Sequence, residues 1–471
     1  MQPSLQRKLI YLAGIVLLFI PIIYLGLPAA PAPRGADASQ ASEGGKLARM
    51  RTQFQLGETS LGNVDPASAT MNLVLLGLRG VATSVLWKQA HEEQEVKNWP
   101  ALRATTDSII LLQPHFLKVW DYHGWNLAYN VSTEWDAVAD RYYWVKEGIK
   151  FEAHGTERNG RYPDLFYRAG VIVGKKIGNA DERKQYRRFF RDQDPDTARF
   201  ENKPDPAVKR IPGRADGENL NLNADNYEVA REWYRMAIDV NDKYNNEQHI
   251  MARPLFRANP THALMDYAQS LLDEGIFGES TRLAWHEAFD EWTNKYGKES
   301  FYTIENPAPL HLEMTPEEFT EYGKTAAGLA TRRWILSYQD MCNYRYWRFR
   351  SLVEQDKEMI AAHSDIFSGK QKYYESHFSE ATDLLMKGMA TLQTLLKKYP
   401  ELATDDSFVE EGLLAQKFWR TILTIEGTPV PQEYPLRQLY ESYPQLQEKI
   451  TELFNQAGRE RQLQKSLNER N

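Results

Sequence analysis

From residue 71 onward, apolar residues recur at helical spacing, and proline, glycine and asparagine interrupt them where helices should end. Met71 to Val96 places Leu73, Leu76, Gly77, Gly80, Val81, Ser84, Leu86 and Trp87 on packed faces. Asn98 ends that stretch, and Pro100 opens a helix to Leu112 that stops before Pro114, because a helix rarely continues through the residue before proline. From Leu117 the helix restarts with two stripes: Trp120, Gly124 and Leu127 on one face, Tyr122, Trp125 and Tyr129 on another. Gly124 costs about 1 kcal/mol relative to alanine in a helix, which fits a neighbouring backbone approaching closely there. Helical weight continues over Arg141–Phe151 and after Pro163 through Gly174. Asn179 to Ala224 breaks the rhythm, with Pro195, Pro204, Pro206 and Pro212 among mixed charges. It reads as a short amphipathic helix and then a surface excursion, either a solvated loop or a partner-binding one. Helical periodicity resumes at Glu228–Asp239 and in a hairpin of His262–Asp273, a Gly275 turn and Glu279–Tyr296. Thr315-Pro-Glu-Glu318 has the form of a capping box and opens a long pattern to about Phe367. Gly369 separates it from Tyr373–Tyr399, and helices follow at Ser407–Ile425 and Pro444–Leu463. With no strand-rich segment, the expected class is all-α.

The N-terminal stretch adds a membrane element. Leu9 to Leu27 is 19 residues without a charge, roughly 28 Å as a helix, close to the hydrocarbon thickness of a bilayer. Arg7 and Lys8 precede it and Arg34 follows, so the positive-inside rule puts residues 1–8 in the cytoplasm and the body outside the cytoplasmic (inner) membrane. A cleaved signal peptide is the rival reading. Against it stand the length of the apolar run and Pro33 after Ala30-Pro31-Ala32. Residues 28–66, rich in Pro, Ala, Gly and Ser, read as a flexible tether. The net charge of −7 carries no general nucleic-acid footprint, and a single cysteine excludes an internal disulfide framework.

Trp120-x2-His123-Gly124-x2-Leu127 after the Pro114 stop resembles the first helix of a tetratricopeptide (TPR) repeat, with His123 where that pattern has leucine. Thr83 to Phe116 spans 34 residues, the length of one such repeat. Ala230-x3-Tyr234-x2-Ala237 resembles the second helix, with Asp242 where proline is usual. The resemblance implies an antiparallel helix-hairpin solenoid over residues 67–300, interrupted by the insertion at 179–224 and followed by long helices in a C-terminal region at 301–471. The apolar span, Leu112-Gln-Pro-His-Phe116 and Gly124-Trp-Asn-Leu-Ala-Tyr-Asn-Val-Ser132 also resemble a family of uncharacterised bacterial membrane-anchored TPR-like proteins. Some members of that family carry an iron-responsive-element name. The term describes an RNA hairpin, and no residue here supports an iron site.

Candidate chemistry is thin. Gly170-Val-Ile-Val-Gly174-Lys175-Lys176 has the wrong spacing and no strand before it, as a phosphate loop requires. His91, His123, His154 and His286 form no close ligand set, and Cys342 has no local catalytic signature. Asn130-Val-Ser132 matches a glycosylation sequon only by pattern. Cys342–Arg350 interleaves Arg345, Arg348 and Arg350 with Tyr344, Tyr346, Trp347 and Phe349. Aromatics and arginine together can stack on single strands, but helical angles spread these around the axis. A packed helix whose arginines pair with acids is favoured over a protein interface, and both over nucleic acid. The expectation is a membrane-tethered, noncatalytic scaffold for protein or peptide partners, with no catalytic residue, cofactor or metal, docking through Tyr122, Trp125 and Tyr129. The alternative is an enzyme acting on envelope polymers, with carboxylates gathered across the helical groove.

Overall fold

In the computed structural model, Lys46, Arg49 and residues 78–244, 251–303 and 309–468 are described. The apolar span 9–27 and the tether 28–66 lie outside them, apart from Lys46 and Arg49. No helix among the described residues is long and apolar enough to cross a membrane. The class is all-α: among the described residues β pairing is confined to two isolated bridges, Arg210 with Asn219 and Phe301 with Leu310. The chain divides into two units, residues 1–224 with 235–250, and residues 225–234 with 251–471.

The first unit begins as antiparallel hairpins. Helices α1 (Arg79–Glu95) and α2 (Trp99–Leu112) pair, and the Asn98 side chain caps α2 by accepting from Ala101 N at 3.4 Å. Helix α3 (Leu117–Trp125) runs on through a π turn at Asn126–Val131 and packs on α4 (Val138–Arg158). The Pro114 carbonyl, stranded between α2 and α3, accepts from Trp120 Nε1 at 2.8 Å and from Asn159 Nδ2 at 3.0 Å. Trp120, Gly124 and Leu127 are buried at the α3–α4 crossing. Glycine is required there: a Cβ on Gly124 would lie 2.5 Å from Glu152 Oε1, and one on Gly148 only 2.7 Å from the Gly124 carbonyl oxygen. The first turn of α1 departs from the expected packing, since Val81 is 64% exposed and Gly80 has nothing near its Cβ position.

Helix α5 (Pro163–Val171) continues through a π turn, Ile172–Lys176, and the turn Ile177–Asn179, so Gly170–Lys176 lies inside a helix. Helix α6 (Arg183–Arg191) opens the polar insertion. Tyr186 and Phe190 form the buried face of this short amphipathic helix, and the stretch after it is mostly exposed but anchored by the fully buried Val208 and Ile211. It is tied to α4 by a desolvated charge cluster: Lys146 Nζ meets Asp194 at 2.5 Å and Asp205 at 3.6 Å, while Lys150 Nζ meets Asp205 at 2.8 Å. Mixed charge in the sequence here marks paired ions in the interior, which hydropathy cannot tell from solvated ones.

The second unit takes in the start of α7 (Asn226–Tyr244), then α8 (Arg253–Asp273) and α9 (Glu279–Asp290) about the Gly275 turn, where φ is +77°. Pro260 inside α8 has no N–H for the Phe256 carbonyl, and Asn259 Nδ2 supplies that donor at 3.1 Å. Residues 251–300 share a core with residues 301–360: Trp285, Trp292, Tyr296, Phe301 and Tyr344 are among its buried members. The expected long helix from Thr315 is four pieces. A capped turn at Pro316–Glu321 precedes α10 (Ala326–Met341), α11 (Tyr344–Glu354) and α12 (Lys357–Tyr374). Thr325 and Asp356 cap new starts, and Asn343 turns left-handed at φ +54°. Gly369 sits inside α12, where its missing Cβ admits Leu385 of α13 (Phe378–Lys398). Helices α14 (Asp406–Glu426) and α15 (Gln447–Asn468) complete the unit.

Candidate binding pocket

The aromatic face expected on α3 is divided. Trp125 is 42% exposed and stacks on Tyr129 with 5.2 Å between ring centroids, and Lys176 Nζ lies 5.2 Å from the Tyr129 centroid. Burial pushes the Tyr129 hydroxyl up to about 12. Tyr122 instead turns to Trp87 of α1, 5.3 Å away, and its buried hydroxyl has no hydrogen-bond partner among the described residues. Trp125 and Tyr129 form an outward platform; Tyr122 belongs to the α1–α3 packing. Periodicity placed the three on one face but could not show that α1 covers part of it.

Beneath the crossing lies Glu152, fully buried and without a hydrogen-bond partner among the described residues. Burial, reinforced by Asp121 and opposed by Arg168, pushes its carboxyl well above the usual carboxylate range. The four histidines weighed as candidate ligands, of ten in the sequence, have separate surroundings. His91 pairs with Glu95 at 3.5 Å, and His286 with Gln355 at 2.8 Å. His154 lies edge-on to Trp120, while His123 is buried near Thr106 and held down to about 4 by desolvation and Arg103. Cys342 is buried, and burial pushes its thiol up. Among the described residues no group of three His, Cys, Asp or Glu side chains is arranged to hold a metal ion.

The arginine–aromatic segment becomes the turn into α11 and α11 itself. Arg345 pairs with Asp340, and Arg348 chelates Glu313 with bonds of 2.8–3.0 Å. Arg350 points elsewhere. It donates to Tyr346 Oη at 2.9 Å, Ser407 Oγ at 2.7 Å and Gln269 Oε1 at 2.7 Å, on the wall of a pocket of about 570 Å³ within the second unit.

Helices α8, α11, α12 and α14 build most of this pocket, and Leu453 of α15 reaches it. Met359, His363, Phe367 and Lys370 line it from α12 at helical spacing, so one face of that helix forms a wall. Phe277, Trp347, Phe349 and Phe408 supply further apolar surface. At the centre of the charged side, His363 Nε2 meets Glu354 at 3.0 Å and Nδ1 meets Glu411 at 2.8 Å. Burial alone would lower the His363 pKa, but the Glu411 and Glu354 carboxylates lift it to about 10. His363 in turn overcomes the burial of Glu411 and holds that carboxyl below its usual range. The imidazole is therefore a fixed cation at neutral pH, with both ring nitrogens engaged. Burial lowers the Lys370 ammonium, with the Glu411 charge opposing. Sequence reading missed this cluster because its members sit at positions 354, 363, 370 and 411 on three helices. The available signal was His363, Phe367 and Lys370 recurring on one face of an otherwise ordinary helix.

No protein-family model, curated protein or solved structure matches this chain.

Proposed function

We propose that the chain is a membrane-tethered, noncatalytic binding scaffold of TPR-like helical hairpins that docks a segment of a protein or peptide partner. The span 9–27 would hold it in the inner membrane, N-terminus in, with the body extracytoplasmic. One observation carries the binding part of this reading. The pocket's imidazole is held as a cation by two carboxylates, while the walls around it are aromatic. A general acid or base needs a pKa near the working pH; this cluster is tuned away from it, which supports recognition over proton transfer. Aromatic walls beside fixed charges suit a peptide segment, whose apolar side chains gain from burial and whose polar groups need oriented partners. The Trp125–Tyr129 platform is a second docking surface on the same reading.

Filling the pocket from its rim tests this. Ser407 lines it and is exposed, so Ser407→Trp should abolish retention of a copurifying partner, at a stability cost of about 1–3 kcal/mol because Arg350 loses its Ser407 Oγ acceptor. Retention of the partner by the folded variant would reject the pocket as the docking site.

A further inference from the structure

Helix α1 spends only part of its surface on the fold. Thr83 and Ala90 are buried, and Leu86 and Trp87 pack against an apolar cluster of the first unit. Leu78, Val81 and Val85 do not. They are 64%, 64% and 63% exposed and follow one another at i, i+3 and i+7 along one face. Beside them Gly80 has open space, and the Ser84 hydroxyl is used up on the Gly80 carbonyl at 2.9 Å. Contiguous exposed apolar surface of this kind marks contact with another protein or with a membrane. Charge separates the two. Of the 471 residues 64 are acidic, yet none falls between Asp65 and Glu92, an interval that holds Arg79 and Lys88. Lys88 prolongs the apolar face, its side chain 81% exposed and joined to Glu92 at 3.4 Å, a surface pair of little weight. A second copy meeting this face across a two-fold axis would set like charges together. A bilayer with anionic headgroups sets opposite charges together. In sequence, Met71-Asn-Leu-Val-Leu-Leu76 extends the apolar run back toward the tether and the span 9–27.

We propose that the first turns of α1 rest on the anionic surface of the bilayer, with Leu78, Val81 and Val85 seated at the boundary between headgroups and acyl chains. This rests on the membrane tether proposed above and adds that the body itself touches lipid. The helix meets the surface by its N-terminal end. Lys88 lies seven residues beyond Val81, roughly 10 Å along the axis, so its ammonium reaches headgroup level when the apolar end is immersed. The carboxylates of α1, Glu92, Glu93 and Glu95, are confined to its far end, away from the phosphates. Three aliphatic side chains alone hold a surface weakly and reversibly. The tether makes the contact intramolecular and so raises its occupancy.

The test uses the full-length chain reconstituted into vesicles of phosphatidylethanolamine and phosphatidylglycerol. A nitroxide is attached through Val81→Cys or, at the far end of α1, through Glu95→Cys; the native Cys342 is buried and stays unlabelled. Power-saturation EPR compares collisions with oxygen, which concentrates in lipid, and with a nickel chelate, which stays in water. The oxygen-to-nickel ratio at position 81 should exceed that at position 95 by at least about threefold, and should fall toward it in vesicles of phosphatidylcholine alone. Equal ratios at the two positions, or a ratio at 81 indifferent to lipid charge, overturn the proposal. So does a label at 81 shielded from both reagents, the mark of cover by protein. Spin–spin broadening at 81 that dilution with unlabelled chain removes is the mark of a second copy and overturns it too. Carbonate extraction of native membranes separates this inference from the tether. A chain that resists extraction while position 81 reads as aqueous keeps the tether and loses the inference; a chain that carbonate releases loses both.

Discussion

His363 shows how a buried residue can be charged at neutral pH and still be unavailable for proton transfer. Its folded pKa of about 10 lies above the ordinary value of 6.5, so the stability this cluster contributes through His363 is fully present below pH 6.5. It is lost as pH rises through about 10, when the folded imidazole also gives up its proton. The Glu411 side runs the other way: its depressed pKa contributes above the ordinary carboxylate range and fades as the carboxyl protonates in acid. Calorimetric melting of the wild type should fall between pH 6.5 and 10 by more than that of His363→Leu. At pH 7 that variant should be less stable by about 3–5 kcal/mol, because two carboxylates lose their shared cation. Parallel pH curves for the two proteins would show that the cluster is not coupled to folding. Glu152 is the contrasting case, a carboxyl kept from water with no donor among the described residues and therefore pushed up.

At the scale of helices, most starts and stops are local chemistry that can be read directly. Pro114 ends α2 at Leu112, Asn98 caps α2, and the Thr315–Glu318 capping box forms as its sequence implies. The Gly275 turn between α8 and α9 was equally plain. The breaks after Glu321, Met341 and Glu354 were not, because apolar spacing carries across such short turns and Thr325, Asn343 and Asp356 pass for polar surface positions. The two kinds of helical glycine separate on contact alone. Gly148→Ala should destabilise by about 1–3 kcal/mol, since its Cβ would press on the Gly124 backbone oxygen at 2.7 Å. Gly80→Ala, with nothing within 4 Å of its Cβ, should stabilise by about 0.5–1 kcal/mol through helix propensity. Chemical denaturation of both variants measures this contrast; equal effects would mean that α3 and α4 do not cross so closely.

Over the whole molecule, the all-α class was legible because 3.6-residue periodicity and helix punctuation agree along the chain. The binding pocket was not, since Arg350, His363, Lys370 and Glu411 meet only after α11, α12 and α14 have packed. The anchor of the insertion was hidden for a related reason: Asp194 and Asp205 read as surface charge until Lys146 is placed between them. The aromatic face was half legible, with Trp125 outward and Tyr122 under α1. The central claim, that the pocket of the second unit docks a partner segment, is tested most directly by photocrosslinking in intact cells. A benzophenone amino acid replaces Asp273, exposed on the pocket wall, or Glu358, exposed away from it. The account predicts a discrete polypeptide adduct from position 273 that Ser407→Trp removes, and no such adduct from position 358. Absence of an adduct at 273, or the same adduct from both positions, would contradict it.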